Sequence, residues 1–287
     1  MSNKKRERFP VSEYFSGKEV AIADAIYYGD KKQLEQFINQ GTEINHIGKE
    51  GFSYLMYAIM IENYEVTEFL LEKGADPNQL SPLMKTKFNQ AREESEKMPL
   101  EMLPLETCCG ASYPIKYMKL LIKYRANLND NRTETPLHVA IMADDMEKVR
   151  YLLDSGANIN QTYRSSTPIM TAAKIMSWHM MNYLLDRGAD VFHVNRNGYT
   201  IGLYMQEYAN RDAWTPDGRR RIEGLINRLK EKGVKFPVYK QTPTDSTGQV
   251  EKPASSSSTH PAIPPKNRPD ANRHSWTLDD DDNWILS

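Results

Sequence analysis

Residues 135–160 read TPLHVAIMADDMEKVRYLLDSGANIN, and these 26 residues hold a complete pair of helices with start, reversal and stop signals. Thr135 is a good N-cap, because its hydroxyl can accept a bond from a free amide of the first turn. Pro136 fits the first helical position, where its missing N–H is not needed. Leu137, Ala140 and Ile141 give this short helix one apolar face. The pair Asp144-Asp145 breaks it and caps a second helix, in which Val149, Leu152 and Leu153 recur at helical spacing. Gly156 stops that helix in the left-handed conformation a C-cap needs, and Ala157-Asn158-Ile159-Asn160 leads away as an extended segment.

Two helices this short cannot bury enough surface alone, so the unit makes sense only with neighbours stacked on it. Four residues after each proline slot stands a small or apolar residue: Ala25, Ala58, Cys108, Ala140, Ala172 and Met205, at separations of 33, 50, 32, 32 and 33. The helix-stop glycine recurs as Gly41, Gly74, Gly156, Gly188 and Gly233, with Arg125 in the third unit. A period near 33 with a T-P-L-H-x-A start resembles the ankyrin repeat. The resemblance covers roughly residues 20–238 and is strongest in TPLHVA and TPIMTA. It implies a mainly α fold, a solenoid of about six helix-turn-helix units with finger connections.

A chain of 287 residues with net charge −1 gives no electrostatic case for nucleic acid. The opening MSNKKRERFPVSEYF is positive but no apolar run follows it, so it reads as neither a secretory signal nor a membrane anchor, and a cytoplasmic location is expected. Cys108 and Cys109 are adjacent, which disfavours a mutual disulfide. Asn131-Arg132-Thr133 and Asn160-Gln161-Thr162 match glycosylation acceptors but, without a signal peptide, read as loops.

In chain order, residues 1–19 form an N-terminal cap in which Phe15, with Val20 just after it, covers the end of the stack. The repeat domain follows over 20–238, with an insertion at 80–100 and a C-terminal capping repeat at 199–238. The connection from Asn78 to Pro104 takes 26 residues where Asn45 to Tyr54 takes 9, and Lys85–Lys97 favours an extra helix, either a tolerated loop or part of a binding surface. Cys108 sits in the alanine slot and reads as packing. Arg125 either remodels its turn or tolerates strain. The sixth unit spends 12 extra residues on a turn at Trp214–Gly218 and an amphipathic helix from Arg219 to Glu231, whose Arg219-Arg220-Arg221 reads as a solvated face in preference to an anion patch.

Residues 239–287 are Pro/Ser-rich and expected to be disordered, and they end in SWTLDDDDNWILS. Trp276 and Trp284 flank Asp279, Asp280, Asp281 and Asp282, which suggests a short linear motif that folds against a partner, or else an acidic solubilising tail. Consecutive carboxylates lack the ligand spacing of a calcium loop, so no metal is expected there. No Gly-rich phosphate loop, nucleophile elbow, H-E-x-x-H or paired C-x-x-C occurs, so neither an enzyme nor a cofactor is expected. His138 reads as a structural hydrogen-bonding residue, and His46 and His193 as exposed polar residues of finger connections.

Function is therefore expected on surfaces. What the ankyrin resemblance implies is a protein partner held in the groove between fingers and first helices. Six and seven residues after each proline slot lie Tyr27-Tyr28, Met60-Ile61, Gly110-Ala111, Met142-Ala143, Lys174-Ile175 and Glu207-Tyr208, a mostly apolar row. Lys49, Arg132, Arg164 and Arg196, on the fingers beside it, form a line of positive charge that suits an acidic rim. No membrane contact is expected, and the default oligomeric state is a monomer. The stretches EYFSGKEVAIADAIYYGD and INHIGKEGFSYLMYAI also resemble bacterial ankyrin proteins found beside secreted antibacterial effectors, often phospholipases, of the type VI secretion system. That resemblance implies an immunity protein that neutralises its cognate toxin. The alternative is a scaffold or adaptor that joins proteins through groove and tail.

Overall fold

The computed structural model describes residues 9–48, 51–83, 100–241, 276–278 and 284–286. These described residues are mainly helical and fall into two compact units, one ending at His193 and the other beginning at Val194.

The first unit opens with a one-turn helix, α1 (Val11–Tyr14), followed by five helix pairs: α2 (Glu19–Tyr28) with α3 (Lys31–Asn39), α4 (Tyr54–Met60) with α5 (Tyr64–Glu72), α6 (Pro104–Cys109) with α7 (Ile115–Lys123), α8 (Pro136–Met142) with α9 (Met146–Asp154), and α10 (Pro168–Lys174) with α11 (Trp178–Asp186). Local chemistry sets these boundaries. Thr135 Oγ1 accepts from the His138 amide and Ser53 Oγ from the Met56 amide at starts of first helices, while Asp30, Asn63 and Asp145 do the same for second helices. The first helices of the five pairs pack side by side in chain order. Close approach requires small residues at the contact, and Ala25, Ala58, Cys108, Ala140 and Ala172 are all buried. At the N-terminal end Phe15 is buried, stacked on Tyr54 and edge-on to Tyr57, whose hydroxyl donates to the Phe9 carbonyl at 2.8 Å.

Every second helix in this unit stops the same way. Gly41, Gly74, Gly156 and Gly188 have φ between 84° and 100°, and Arg125 takes the same conformation at φ 64°. Its amide donates to Ile122 O at 3.0 Å and that of Ala126 to Leu121 O at 3.0 Å, the bond pattern of Gly156 and Ala157. The turn is thus kept and the strain tolerated. Arg125→Gly should raise stability by about 0.5–1 kcal/mol, since it relieves a side chain at positive φ; a lower urea midpoint would show that the Arg125 side chain makes a contact worth more than that strain.

The finger connections carry an asparagine ladder that the reading of the extended segments did not foresee. The Asn45, Asn78, Asn129 and Asn160 side chains accept from the amides of Asp76, Asn127, Asn158 and Asp190 in the following repeat, at 2.7–2.8 Å. These bonds satisfy backbone donors that no helix or sheet reaches. Phe192 stands where a fifth asparagine would continue the series, and it is exposed. The expected extra helix at 85–97 lies outside the described residues; at its borders, β1 (Ser81–Leu83) pairs antiparallel with β2 (Leu100–Met102).

In the second unit, α12 (Ile201–Ala209) packs against α13 (Pro216–Glu231), with Thr200 and Thr215 as N-caps. The helix expected from Arg219 starts three residues earlier because Thr215-Pro216 supplies cap and first position. The chain then returns along α12. Gln206 clamps one residue of it, donating to Val238 O at 2.8 Å and accepting from its amide at 2.7 Å, and the Gln241 amide donates to Gly198 O at 3.0 Å. Gly198, at φ 77°, has no room for a Cβ, which would meet Gln241 O at 2.0 Å. In the tail, β3 (Trp276–Leu278) pairs antiparallel with β4 (Trp284–Leu286).

Candidate functional site

The cysteines and His138 are buried in the packing of the repeats. Among the described residues no group of three or more His, Cys, Asp or Glu could hold a metal ion. Cys108 and Cys109 are fully buried, and that burial pushes both thiols up, away from the reactive thiolate. His138 accepts from the Thr135 hydroxyl at Nδ1 (2.6 Å) and donates from Nε2 to Ser166 O of the next repeat (3.0 Å). His46 is tied to Glu19 at 2.6 Å and His193 to Ser165 O at 2.8 Å. Both finger histidines are therefore struts, more engaged than exposed loop residues would be.

Unequal use of one motif follows from this. In the fifth repeat Met170 replaces the histidine, and the buried Thr167 Oγ1 has no partner among the described residues. Thr167→Val should be neutral or stabilise by about 1 kcal/mol, whereas Thr135→Val should cost about 1–2 kcal/mol because it removes an N-cap and leaves His138 Nδ1 without its donor. Equal losses for the two, read by urea unfolding, would show that both hydroxyls are bonded.

The outer faces of the second helices are closed on themselves. Lys31 lies 3.6 Å from Glu65, Lys73 2.6 Å from Glu35, Lys123 3.3 Å from Glu68, Lys119 3.5 Å from Glu147, and Arg187 2.8 Å from Asp154. Each pair links consecutive repeats, and the cations of Lys116, Lys119 and Arg150 sit over the rings of Tyr64, Tyr151 and Tyr183. Exposed pairs of this kind are worth only about 0–1 kcal/mol each, but together they engage most of the charge on that side.

The ends of the first helices are different. Tyr28 is 72 % exposed, with Tyr27 edge-on to it at 5.1 Å, and Met60, Met142, Lys174 and Ile175 are half-buried. Two members of the expected row are corrected: Ile61 and Tyr208 are each only 3 % exposed, because their rotation about the helix turns them into the core. Tyr208 and Arg196 also stand in the second unit, whereas the other described members belong to the first. A residue the spacing rule missed is Tyr113. The third repeat turns through Gly110–Pro114, and the Tyr113 hydroxyl there donates to Met60 Sδ at 2.9 Å. The irregular C-G-A-S-Y-P stretch was the signal that this repeat presents a loop residue in place of a helix end.

Of the positive line, Lys49 lies outside the described residues. Arg132 is held by Asp130, Nη2 to Oδ2 at 2.6 Å, and also donates to Asn78 O at 2.8 Å, so it braces its finger. That pairing holds the Asp130 carboxyl below its ordinary range. The Arg164 guanidinium lies over Tyr163 at 5.5 Å. Arg196 is exposed. Between these fingers Glu106 accepts from Thr133 at 2.5 Å, and burial pushes the carboxyls of both Glu106 and Glu134 up to about 7. In the tail motif, the backbone of Trp276 and Trp284 is in the strand pair, and Asp279–Asp282 lie outside the described residues.

Comparison with known proteins fits this architecture. The family model for ankyrin repeats in three copies matches residues 89–163 and 107–195, and that for the single ankyrin repeat matches 50–82. The bovine mitochondrial disaggregase is 27 % identical over 150 residues, half of this chain and 19 % of that protein. The fowlpox virus ankyrin repeat protein FPV222 is 26 % identical over 147 residues, 49 % of this chain and 17 % of that protein. The chain spans about a fifth of the length of the curated relatives it matches, so what those names say of the whole proteins stays with them. Among solved structures, the ankyrin repeat domain of Bcl-3 superposes with TM-score 0.56 at 18 % identity, over 80 % of this chain and 91 % of that one. An Acinetobacter baumannii ankyrin repeat domain gives 0.54 at 21 % identity (73 % and 97 %), and that of human ASB11 gives 0.51 at 20 % (80 % and 88 %). These likenesses concern the fold. No helix among the described residues is long and apolar enough to cross a membrane.

Proposed function

Since this chain carries an ankyrin-repeat domain, we propose that it is a non-enzymatic protein-binding module that takes its partner on the row formed by Tyr27, Tyr28, Met60, Tyr113, Met142, Lys174 and Ile175. The observation that carries this reading is Tyr28, a tyrosine 72 % exposed at the end of a helix, in a unit whose opposite helices are tied up in ion pairs. Apolar and aromatic side chains left uncovered beside a self-satisfied polar face are what an interface anchor requires. Stacking of the repeats does not need them there.

Within this reading the partner is the secreted antibacterial effector suggested by the opening segments, and the act of binding is inhibition. The adaptor reading differs in having several partners. Replacing Tyr28, Met60 and Met142 together with aspartate should weaken partner capture about a hundredfold or more and leave circular dichroism unchanged, with melting lowered only as far as the loss of the Tyr113–Met60 bond requires. Mass spectrometry of what the unaltered protein retains and the variant loses identifies the partner: one effector supports inhibition, several unrelated proteins support the adaptor. Equal capture by both forms would move the site off this row.

A further inference from the structure

The first unit and the helical part of the second differ in charge. Residues 9–193 hold 19 basic against 25 acidic side chains, whereas residues 194–241 hold ten basic against five acidic. Much of that excess lies on and just after α13. Arg220 is largely exposed and only 3.7 Å from Asp217, the carboxylate that Arg221 already engages at 2.7 Å. Lys232 and Lys235 are exposed and make no ion pair among the described residues. Aromatic rings are interleaved with these cations: Lys230 lies over Phe236 at 5.9 Å, Lys240 lies over Tyr199 at 5.5 Å, and Tyr239 is 74 % exposed.

The same unit contains the strand pair β3–β4. Its register sets Trp276 opposite Leu286 and Leu278 opposite Trp284. The connection between the strands reads DDDDN. A lone two-stranded hairpin is marginally stable in water, so this one calls for a surface to lie on. We propose that the acidic C-terminal hairpin, residues 276–286, docks on the basic, aromatic surface formed by Arg220, Lys230, Lys232, Lys235, Phe236 and Tyr239 of its own chain.

Charge selects this occupant. Four aspartates would meet an excess of cations on α13, and an excess of carboxylates on the five-repeat unit. Reach permits it: the 34 residues from 242 to 275 can span roughly 110 Å when extended. Covalent attachment makes the encounter intramolecular, at an effective concentration that weak contacts can exploit.

The test uses the full chain. It has four tryptophans, at 178, 214, 276 and 284, so its indole N–H signals are few enough to assign by single Trp→Phe replacements. At low salt the Trp276 and Trp284 signals are expected away from random-coil positions, and they should move there in 1 M salt, where the screening length falls to about 3 Å. The triple replacement Arg220→Glu, Lys232→Glu, Lys235→Glu should have the same effect. So should Asp279→Asn, Asp280→Asn, Asp281→Asn and Asp282→Asn combined. Unmoved Trp178 and Trp214 signals report that the fold is intact. Random-coil positions for Trp276 and Trp284 in the unaltered protein would overturn the proposal, as would shifted positions that survive charge reversal on α13. The aspartate variant of Tyr28, Met60 and Met142 should leave these signals alone, so this result stands or falls separately from the binding row.

Discussion

Lys148→Met should cost about 3 kcal/mol and lower the melting temperature by roughly 6–12 °C, one of the two largest effects expected of a single replacement here. Lys148 is only 2 % exposed. Its Nζ donates to Gly110 O at 2.6 Å and to Tyr113 O at 2.8 Å, and Asp145 Oδ2 lies 3.6 Å away. A buried ammonium is costly unless fully paired, and here two carbonyls and a carboxylate pair it. Methionine fills much of the same volume but donates nothing, so both carbonyls lose their cation and Asp145 loses a partner. The third repeat depends on this, since its turn is not held by the side-chain cap that Asp30, Asn63 and Asp145 supply in the first, second and fourth repeats: Pro114 precedes α7 without a capping side chain. Loosening that turn also frees Tyr113 from Met60, so the binding row should lose affinity along with stability. A loss below about 0.5 kcal/mol in urea titration would mean that water already satisfies these carbonyls.

None of that lysine's role could be read from its place in the sequence. Lys148 occupies a helical position where charge normally points to solvent, and its partners lie 35 and 38 residues away. What sequence does show is local: Thr135-Pro136, Asp145 and Gly156 act where they stand, and the alanine slot is buried in every repeat. The asparagine ladder falls between. Asn78, Asn129 and Asn160 recur in the sequence, yet each acts on the following repeat, so the pattern is visible and its purpose is not. The proposed row shows the same limit. Counting from the proline slot placed Tyr28, Met60 and Met142 at the ends of first helices, where they are exposed or half-buried, but it could not tell that Ile61 turns inward, nor that an irregular turn brings Tyr113 to Met60. Helical phase near a terminus shifts by a residue, and one residue is about 100° of rotation.

The second large effect is on pH dependence. His138 is 1 % exposed, and burial pulls its pKa down to about 4, while the unfolded chain titrates near the ordinary 6.5. Between those values the unfolded state binds the extra proton, so this residue's contribution is complete above pH 6.5 and is lost as pH falls toward 4, by up to about 3 kcal/mol. Glu106 and Glu134 act in the opposite sense. Burial raises both to about 7, so the native state holds their protons first, and their contribution is complete below pH 4.5 and lost as pH rises through 7. The two windows overlap, but two carboxyls act against one imidazole, so the net stability of the unaltered protein should rise by about 2–3 kcal/mol as pH falls from 7 to 4.5. Replacement separates them. His138→Gln should cost about 2 kcal/mol at pH 7.5, where its bonds to Thr135 and Ser166 are intact, and that deficit should shrink or reverse by pH 4.5 because the variant has no buried base to keep neutral. Glu106→Gln with Glu134→Gln should leave the histidine unopposed, so that stability falls steeply as pH drops below 6.5. Urea midpoints from pH 4 to 8 for the three proteins decide the matter, and a deficit for His138→Gln that is independent of pH would mean that the native histidine titrates like the unfolded one.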